Sequence, residues 1–117
     1  MVPSTILMVK DGAEFDVIYA ENDNLAYGAI DALKKAGLTP GKDVILIAFD
    51  SSSTALRLIL SGEISLDVEC NPLHGPRVQS IIELLEAGAE PDKLTFVEET
   101  YFDAENLTEK IISSRGY

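Results

Sequence analysis

The chain has 117 residues, of which 46% are hydrophobic and 25% charged, and its formal net charge is −11 at pH 7. This composition is typical of one soluble globular domain, and the negative charge disfavours nucleic acid and anionic membrane surfaces as partners. With one cysteine and one histidine, the sequence offers neither an internal disulfide nor the material for a cysteine- or histidine-based metal site.

The first apolar segment covers residues 4–10, with the sequence STILMVK. It has no convincing partner in a self-contained fold, so we interpret it as an edge strand or as the end of a helix that begins outside this chain. No apolar run approaches the roughly 20 residues that a membrane span requires, which predicts that the chain does not cross a bilayer. The opening residues lack the basic region and apolar core of a signal peptide, so none is predicted.

The first strand–helix unit follows. Asp16–Ala20 is predicted to be a strand, and apolar residues recur at helical spacing from Leu25 to Ala36. Gly37 is a natural end for this helix. Asp23 or Asn24 is predicted to be its N-cap, because short polar side chains accept hydrogen bonds from the free N–H groups of a first turn.

Two further units repeat this order. Residues 44–49 are a nearly continuous apolar run, as expected for a strand covered on both faces. A short helix follows and ends at Gly62. Ile64–Val68 is predicted to be the third strand, and its alternating polar residues, Ser65 and Asp67, predict one exposed face.

The last part of the chain continues the alternation. A helix is predicted from about Pro76 to Ala87, with an apolar stripe formed by Val78, Ile81, Ile82 and Leu85. Lys93–Phe102 is predicted to be a fourth strand with Leu94 and Phe96 facing inward, and a final helix starts after Asp103. This order predicts an α/β fold: a three-layer open, mainly parallel sheet with helices on both faces.

Two polar residues stand where predicted strands give way to helices, Asn22 after the first strand and Asp50 after the second. Open parallel sheets bind ligands outside the carboxyl ends of their strands, so these side chains are candidate ligand contacts. A carboxylate accepts from adjacent hydroxyl groups and an amide both donates and accepts, which suits a neutral ligand rich in hydroxyl groups. The local alternatives are a turn or capping role for Asn22 and an N-cap role for Asp50. Cys70 is predicted to be a small buried residue rather than a reactive thiol.

Three segments resemble the C-terminal half of type I periplasmic sugar-binding proteins, the ribose- and galactofuranose-binding group of ABC-transporter receptors. They are residues 16–30 (DVIYAENDNLAYGAI), 41–50 (GKDVILIAFD) and 61–72 (SGEISLDVECNP). The resemblance covers about residues 16–117 and implies that residues 1–117 form most, but not all, of the C-terminal lobe of a two-lobed receptor that closes on a monosaccharide.

The resemblance also implies roles for individual residues and partners. Asn22 and Asp50 would contact sugar hydroxyls, and one of Glu69, Cys70 and Asn71 would face the ligand from a crossover strand. No cofactor, metal or catalytic activity is implied. The intact receptor would be periplasmic, or extracellular and lipid-anchored, and would deliver sugar to a transporter permease.

The N-terminal lobe is not recognisable in this sequence, which has consequences for the chain alone. We expect the helix within residues 72–90 to pack against that lobe or against another chain, and we expect a homodimer through residues 76–87. We also expect weak sugar affinity, because half of the cleft would be absent.

Two other classes of function remain as alternatives. One is the effector-binding half of a sugar-responsive transcription regulator, which shares this fold, although the chain is acidic and shows no DNA-binding element. The other is an enzyme or phospho-receiver domain of similar topology. The sequence offers no nucleophile–base pair and no glycine-rich phosphate loop, so catalysis is not expected.

Overall fold

The computed structural model describes residues 11–117, so the interpretation of residues 4–10 falls outside the described part. Four strands form one sheet in the order β1-β2-β3-β4, and four helices connect or follow them. The elements in chain order are β1 (Val17–Tyr19), α1 (Asp23–Lys35), β2 (Ile45–Asp50), α2 (Ser53–Leu60), β3 (Leu66–Glu69), α3 (Gly75–Glu86), β4 (Tyr101–Phe102) and α4 (Glu109–Ser114).

The sheet is mainly parallel. β1 pairs in parallel with β2, and β2 in parallel with β3, where Ala48 stands opposite Asp67. β4 is antiparallel to β3, with Phe102 opposite Asp67. The predicted open, mainly parallel α/β sheet is confirmed. The parallel pairing brings the carboxyl ends of β1, β2 and β3 to one edge.

One face of the sheet carries the hydrophobic core. Leu46 and Ala48 of β2 are fully buried there and join one apolar cluster with residues of α1, α2 and α4. Within residues 11–117 these helices cover this face alone, so the predicted helices on both faces, and the predicted cover of β2 on both faces, are not found in this part of the chain. On the opposite face, Val17 and Ile45 are 48% exposed and Tyr19 is 61% exposed, because strand side chains alternate between the two faces.

The start of α1 differs from the prediction that Asp23 or Asn24 caps the helix. Asn22 is the N-cap, and its Oδ1 accepts a hydrogen bond of 2.9 Å from the backbone N–H of Leu25. Asp23 is only 3% exposed and points into the protein. Its carboxylate accepts hydrogen bonds from Ser52, the N-cap of α2, so Asn22 caps α1 instead.

The predicted orientation of β3 is wrong. Asp67 is completely buried on the helix-covered face, opposite Ala48, whereas Leu66 and Val68 lie on the other face. The alternation of polar and apolar residues is present, but the polar side faces the core. Hydrogen bonds to neighbouring backbone and hydroxyl groups make this burial possible.

The fourth strand is shorter than predicted and covers only Tyr101–Phe102. Leu94 and Phe96, expected to face inward, are 71% and 79% exposed. The segment before β4 therefore has no sheet partner among the described residues, and its apolar side chains contact little.

Helix α3 stands apart from the core. None of its twelve residues is buried, and Val78, Ile82 and Leu85 are about half exposed at 51%, 49% and 57%. One hydrogen bond of 2.9 Å joins Arg77 Nη1 to the carbonyl of Phe96. Across residues 11–117, no helix combines the length and apolarity needed to cross a membrane.

Candidate functional site

The candidate site lies at the edge where the three parallel strands end. The register places Asp50 at the end of β2 directly opposite Glu69 at the end of β3. β1 leads through Ala20, whose N–H donates to the carbonyl of Ile47 at 2.8 Å, to Asn22 at the start of α1. The predicted residues Asn22, Asp50 and Glu69 thus lie on three successive strand ends.

Asn22 uses only part of its side chain for capping. Its Oδ1 is engaged by Leu25, while its Nδ2 has no hydrogen-bond partner within the described part of the chain. The residue is half-buried at the edge of the sheet. The capping alternative is therefore confirmed locally, and an amide donor is still free for a ligand hydroxyl.

Asp50 sits on an unusual backbone. Its φ is 114° and that of Ser51 is 58°, the two positive φ values found at non-glycine residues among residues 11–117. Such conformations cost about 1–3 kcal/mol each and persist where the surroundings enforce them. Burial and the charge of Asp23 raise the pKa of Asp50, and the Asp23 backbone N–H partly offsets this. The Asp50 carboxylate thus lies within electrostatic range of Asp23, the first residue of α1.

Two buried aspartates hold the turn that follows Asp50. The N–H and hydroxyl of Ser51 both donate to Asp67 Oδ1, at 3.1 and 3.2 Å. The N–H of Ser52 donates to Asp23 Oδ2 at 2.8 Å, and its hydroxyl donates to the same oxygen. Four hydrogen bonds thus fix two consecutive residues of the strained turn.

Asp67 is held in its neutral form at neutral pH. Burial raises the pKa of its carboxyl, and the neighbouring Asp23 carboxyl raises it further, to about 8. The bonds from Ser51 act in the opposite direction but are outweighed. A protonated carboxyl can donate one hydrogen bond as well as accept others.

Glu69 is engaged by the C-terminal residues rather than open to a ligand. Its Oε1 pairs with Arg115 Nη1 at 2.9 Å and accepts a hydrogen bond from the hydroxyl of Tyr117, and its Oε2 accepts from the N–H of Thr100. Burial raises the pKa of Glu69, but these bonds and the charge of Arg115 outweigh it, so the pKa is lowered. Glu69 is thus an ionised structural anchor.

The other two predicted crossover residues differ in exposure. Cys70 is exposed, so the prediction that it is buried is wrong. Asn71 accepts a 2.8 Å hydrogen bond from the N–H of Leu73, and its own N–H donates to Glu99 Oε1 at 2.8 Å. Asn71 shapes the chain where it leaves the sheet, and its Nδ2 has no partner among the described residues.

A shallow groove lies on the exposed sheet face near these residues. It has a volume of about 420 Å³ and is lined by Leu66, Val68, Glu69, Glu99, Thr100 and Tyr101. It contains Glu69 but neither Asn22 nor Asp50. Within residues 11–117, no cluster of three or more His, Cys, Asp or Glu side chains is suited to a metal ion.

The supporting residues were missed by sequence reasoning. Asp67 was predicted to lie on an exposed face, Asp23 was predicted to be a cap, and no role was predicted for Arg115. The only signal for Ser51 and Ser52 is their position directly after a buried strand. Their roles depend on contacts between residues 16 to 64 positions apart, which local patterns do not reveal.

Comparison with known proteins finds relatives that are named as sugar-binding proteins. No protein-family model matches the chain. The galactofuranose-binding protein YtfQ of Escherichia coli K12 is 30% identical over 112 residues, which are 95% of this chain and 35% of YtfQ. The fructose import binding protein FruE of Bifidobacterium longum is 32% identical over 102 residues, which are 87% of this chain and 30% of FruE.

A solved structure has a similar fold. A Mycobacterium smegmatis protein crystallised with β-D-fucofuranose superposes with a TM-score of 0.83 at 28% identity, covering 89% of this chain and 34% of that protein. The chain spans about a third of the length of the curated relatives it matches.

Proposed function

We propose that this chain, whose sequence and fold are similar to parts of sugar-binding proteins, is the C-terminal lobe of a type I periplasmic sugar receptor for an ABC importer and forms half of its ligand cleft. One observation carries this proposal: the free amide donor of Asn22 and the carboxylate of Asp50 stand on neighbouring strand ends. One named relative is a galactofuranose-binding protein and the other a fructose import binding protein, which favours the receptor over a transcription regulator.

The ligand class follows from the chemistry and from the relatives. Asp50 would accept hydrogen bonds from one or two sugar hydroxyls, and Asn22 Nδ2 would donate to another hydroxyl or to the ring oxygen. The relatives bind or are named for galactofuranose, fructose and fucofuranose. We propose a monosaccharide in its furanose form.

The transport step requires a second lobe. A sugar held between two lobes stabilises the closed form, and hinge closure presents a new surface to the permease outside the cytoplasmic membrane. Helix α3 would pack against the second lobe through its exposed apolar stripe. The lobe described here would supply the fixed hydroxyl contacts, and its affinity alone would be weak.

Asp50→Ala is expected to weaken sugar binding by at least tenfold, because a hydrogen bond to a charged group contributes about 1.5–3 kcal/mol. The measurement is a titration of the ¹⁵N-labelled chain with D-fructose and with galactofuranose, followed by NMR. We expect binding in the millimolar range, with shifts centred on the backbone amides of Asn22 and Asp50.

The control is Asp31→Ala, which removes an exposed carboxylate on α1 that pairs only with Lys35. It should bind both sugars as the unmodified chain does. Equal loss of affinity in both variants, or shifts that avoid Asn22 and Asp50, would contradict the site. A submicromolar dissociation constant for this chain alone would contradict the proposal that the chain forms only half of the ligand cleft.

Ile82→Glu tests the proposed role of α3 in association. Exposed apolar patches of this kind mark interaction sites, so copies of the 117-residue chain studied alone should associate through α3. Light scattering after size-exclusion chromatography should show a concentration-dependent dimer, and Ile82→Glu should raise its dissociation constant at least tenfold. Glu86→Gln, which also changes one charge on α3, should leave the dimer intact. A strict monomer at millimolar concentration would refute this association.

A further inference from the structure

Two carboxyl groups beneath the candidate site leave one oxygen each without a partner in the surrounding structure. Asp23 is 3% exposed and Asp67 is fully buried. Asp23 Oδ1 and Asp67 Oδ2 receive no hydrogen bond from any donor in the described residues. Their other oxygens, Asp23 Oδ2 and Asp67 Oδ1, hold the adjacent residues Ser52 and Ser51.

We propose that Asp23 and Asp67 share one proton, and that this carboxyl pair holds the strained turn in the conformation that presents Asp50 to a ligand. The Asp67 Oδ2–H would donate to Asp23 Oδ1, which gives both unpartnered oxygens a partner. The claim that the turn presents Asp50 to a ligand rests on the proposed function, whereas the claim of a shared proton is independent of it.

The physical reason is the cost of two adjacent buried charges. Two carboxylates that share a buried site cannot both ionise near neutral pH, so one keeps its proton. The same pair acts on both residues of the turn: Asp67 on Ser51 and Asp23 on Ser52. Because Ser51 has a φ of 58° and Asp50 a φ of 114°, the turn needs such restraint.

The charged and titratable groups around the pair come from each element that packs there. Tyr27 of α1 bonds to the Ser52 hydroxyl at 2.9 Å, and burial with the charges of both aspartates raises the pKa of this phenol, which stays neutral. Arg115, after α4, donates to the Ser51 carbonyl at 3.1 Å but is paired with Glu69. Asp50 adds a further negative charge. No cation in the described residues neutralises a second charge on the pair.

The sign of the pH effect follows from the raised pKa of Asp67. In the unfolded chain this carboxyl loses its proton near pH 4, whereas in the folded chain it keeps the proton up to about pH 8. The stabilisation by the shared proton is therefore complete below the unfolded pKa and is lost as the pH rises to about 8. Above that pH, two repelling charges sit under the turn.

The experiment is a ¹³C and ¹⁵N NMR titration of the whole chain that follows the aspartate carboxyl carbons and the backbone of Ser51 and Ser52. We expect the Asp67 carboxyl and both serines to titrate together near pH 8. In Asp67→Asn, whose amide donates permanently to Asp23, the serine signals should stay constant over the same range. Asp31→Asn, an exposed change on α1, should leave the titration as it is in the unmodified chain.

Several outcomes are decisive. An Asp67 carboxyl that titrates near pH 4, or serine signals that shift identically in Asp67→Asn, would overturn the proposal. Sugar affinity should fall above pH 8 in the unmodified chain but not in Asp67→Asn. If the chain shows the coupled titration but binds no sugar, the proposed function is refuted and the proposal of a shared proton still stands.

Discussion

Replacing Arg115 with methionine is expected to lower the free energy of unfolding by about 3–5 kcal/mol, the cost of removing one partner from a buried ion pair. The side chains of Arg115 and Glu69 are 11% and 9% exposed, so the carboxylate of Glu69 would be left charged and shielded from water. The substitution also removes the hydrogen bond to the Ser51 carbonyl and the stacking of the guanidinium on Phe102 and Tyr117. Urea denaturation measures the change.

The matched control is Arg57→Met. Arg57 is 56% exposed and lies 3.6 Å from Glu109, and exposed pairs of this kind contribute only about 0–1 kcal/mol. The double variant Arg115→Met with Glu69→Gln should recover part of the loss, because it removes the stranded charge. A loss below 1 kcal/mol for Arg115→Met would show that water or another group compensates Glu69.

The pH dependence gives a second check on the same pair. The folded-state pKa of Glu69 is lowered by Tyr117 and Arg115. The stabilisation by the pair is therefore present above the unfolded pKa, about 4.3, and disappears as the pH falls through the lower folded pKa. The difference in stability between Arg115→Met and the unmodified chain should shrink in that acidic range and remain constant near neutral pH.

The sequence predicts most of the helices and strands, but it does not predict which residues hold the candidate site in place. Strands β1 and β2 and helix α1 follow from apolar periodicity, because burial against the core requires those spacings. The positions of Asn22 and Asp50 at strand ends follow as well, since they depend only on where the strands stop.

The errors have a common physical origin in tertiary contacts. Asp67 looked like the polar side of a half-exposed strand, but hydrogen bonds from Ser51 allow it to be buried. Leu94 and Phe96 looked like core residues, yet no element packs over them in the described chain. Prediction from hydrophobic pattern assumes that apolar residues are buried and polar residues are exposed. It fails for a polar residue that has hydrogen-bond partners in the core and for an apolar residue that no other element covers.

Gly41→Ala is expected to destabilise the chain by about 2–5 kcal/mol, the sum of about 1–2 kcal/mol for a left-handed backbone and about 1–3 kcal/mol for overpacking. The φ of Gly41 is 75°, and a Cβ there would lie 1.8 Å from the carbonyl oxygen of Gly62. Both glycines sit in turns that lead into parallel strands, so relief of the clash would separate the start of β2 from the start of β3.

Gly37→Ala measures the cost of the left-handed backbone without a clash. The φ of Gly37 is 79°, but a Cβ there would meet nothing within 4 Å, so only the cost of about 1–2 kcal/mol for the left-handed backbone applies. Thermal and urea unfolding of the two variants should therefore differ by at least 1 kcal/mol. Because the Gly41–Gly62 contact lies at the end of the strands opposite to Asn22 and Asp50, Gly41→Ala at low temperature should bind sugar as the unmodified chain does. Equal stability of the two variants would mean that the turns separate without cost and do not fix the strand register.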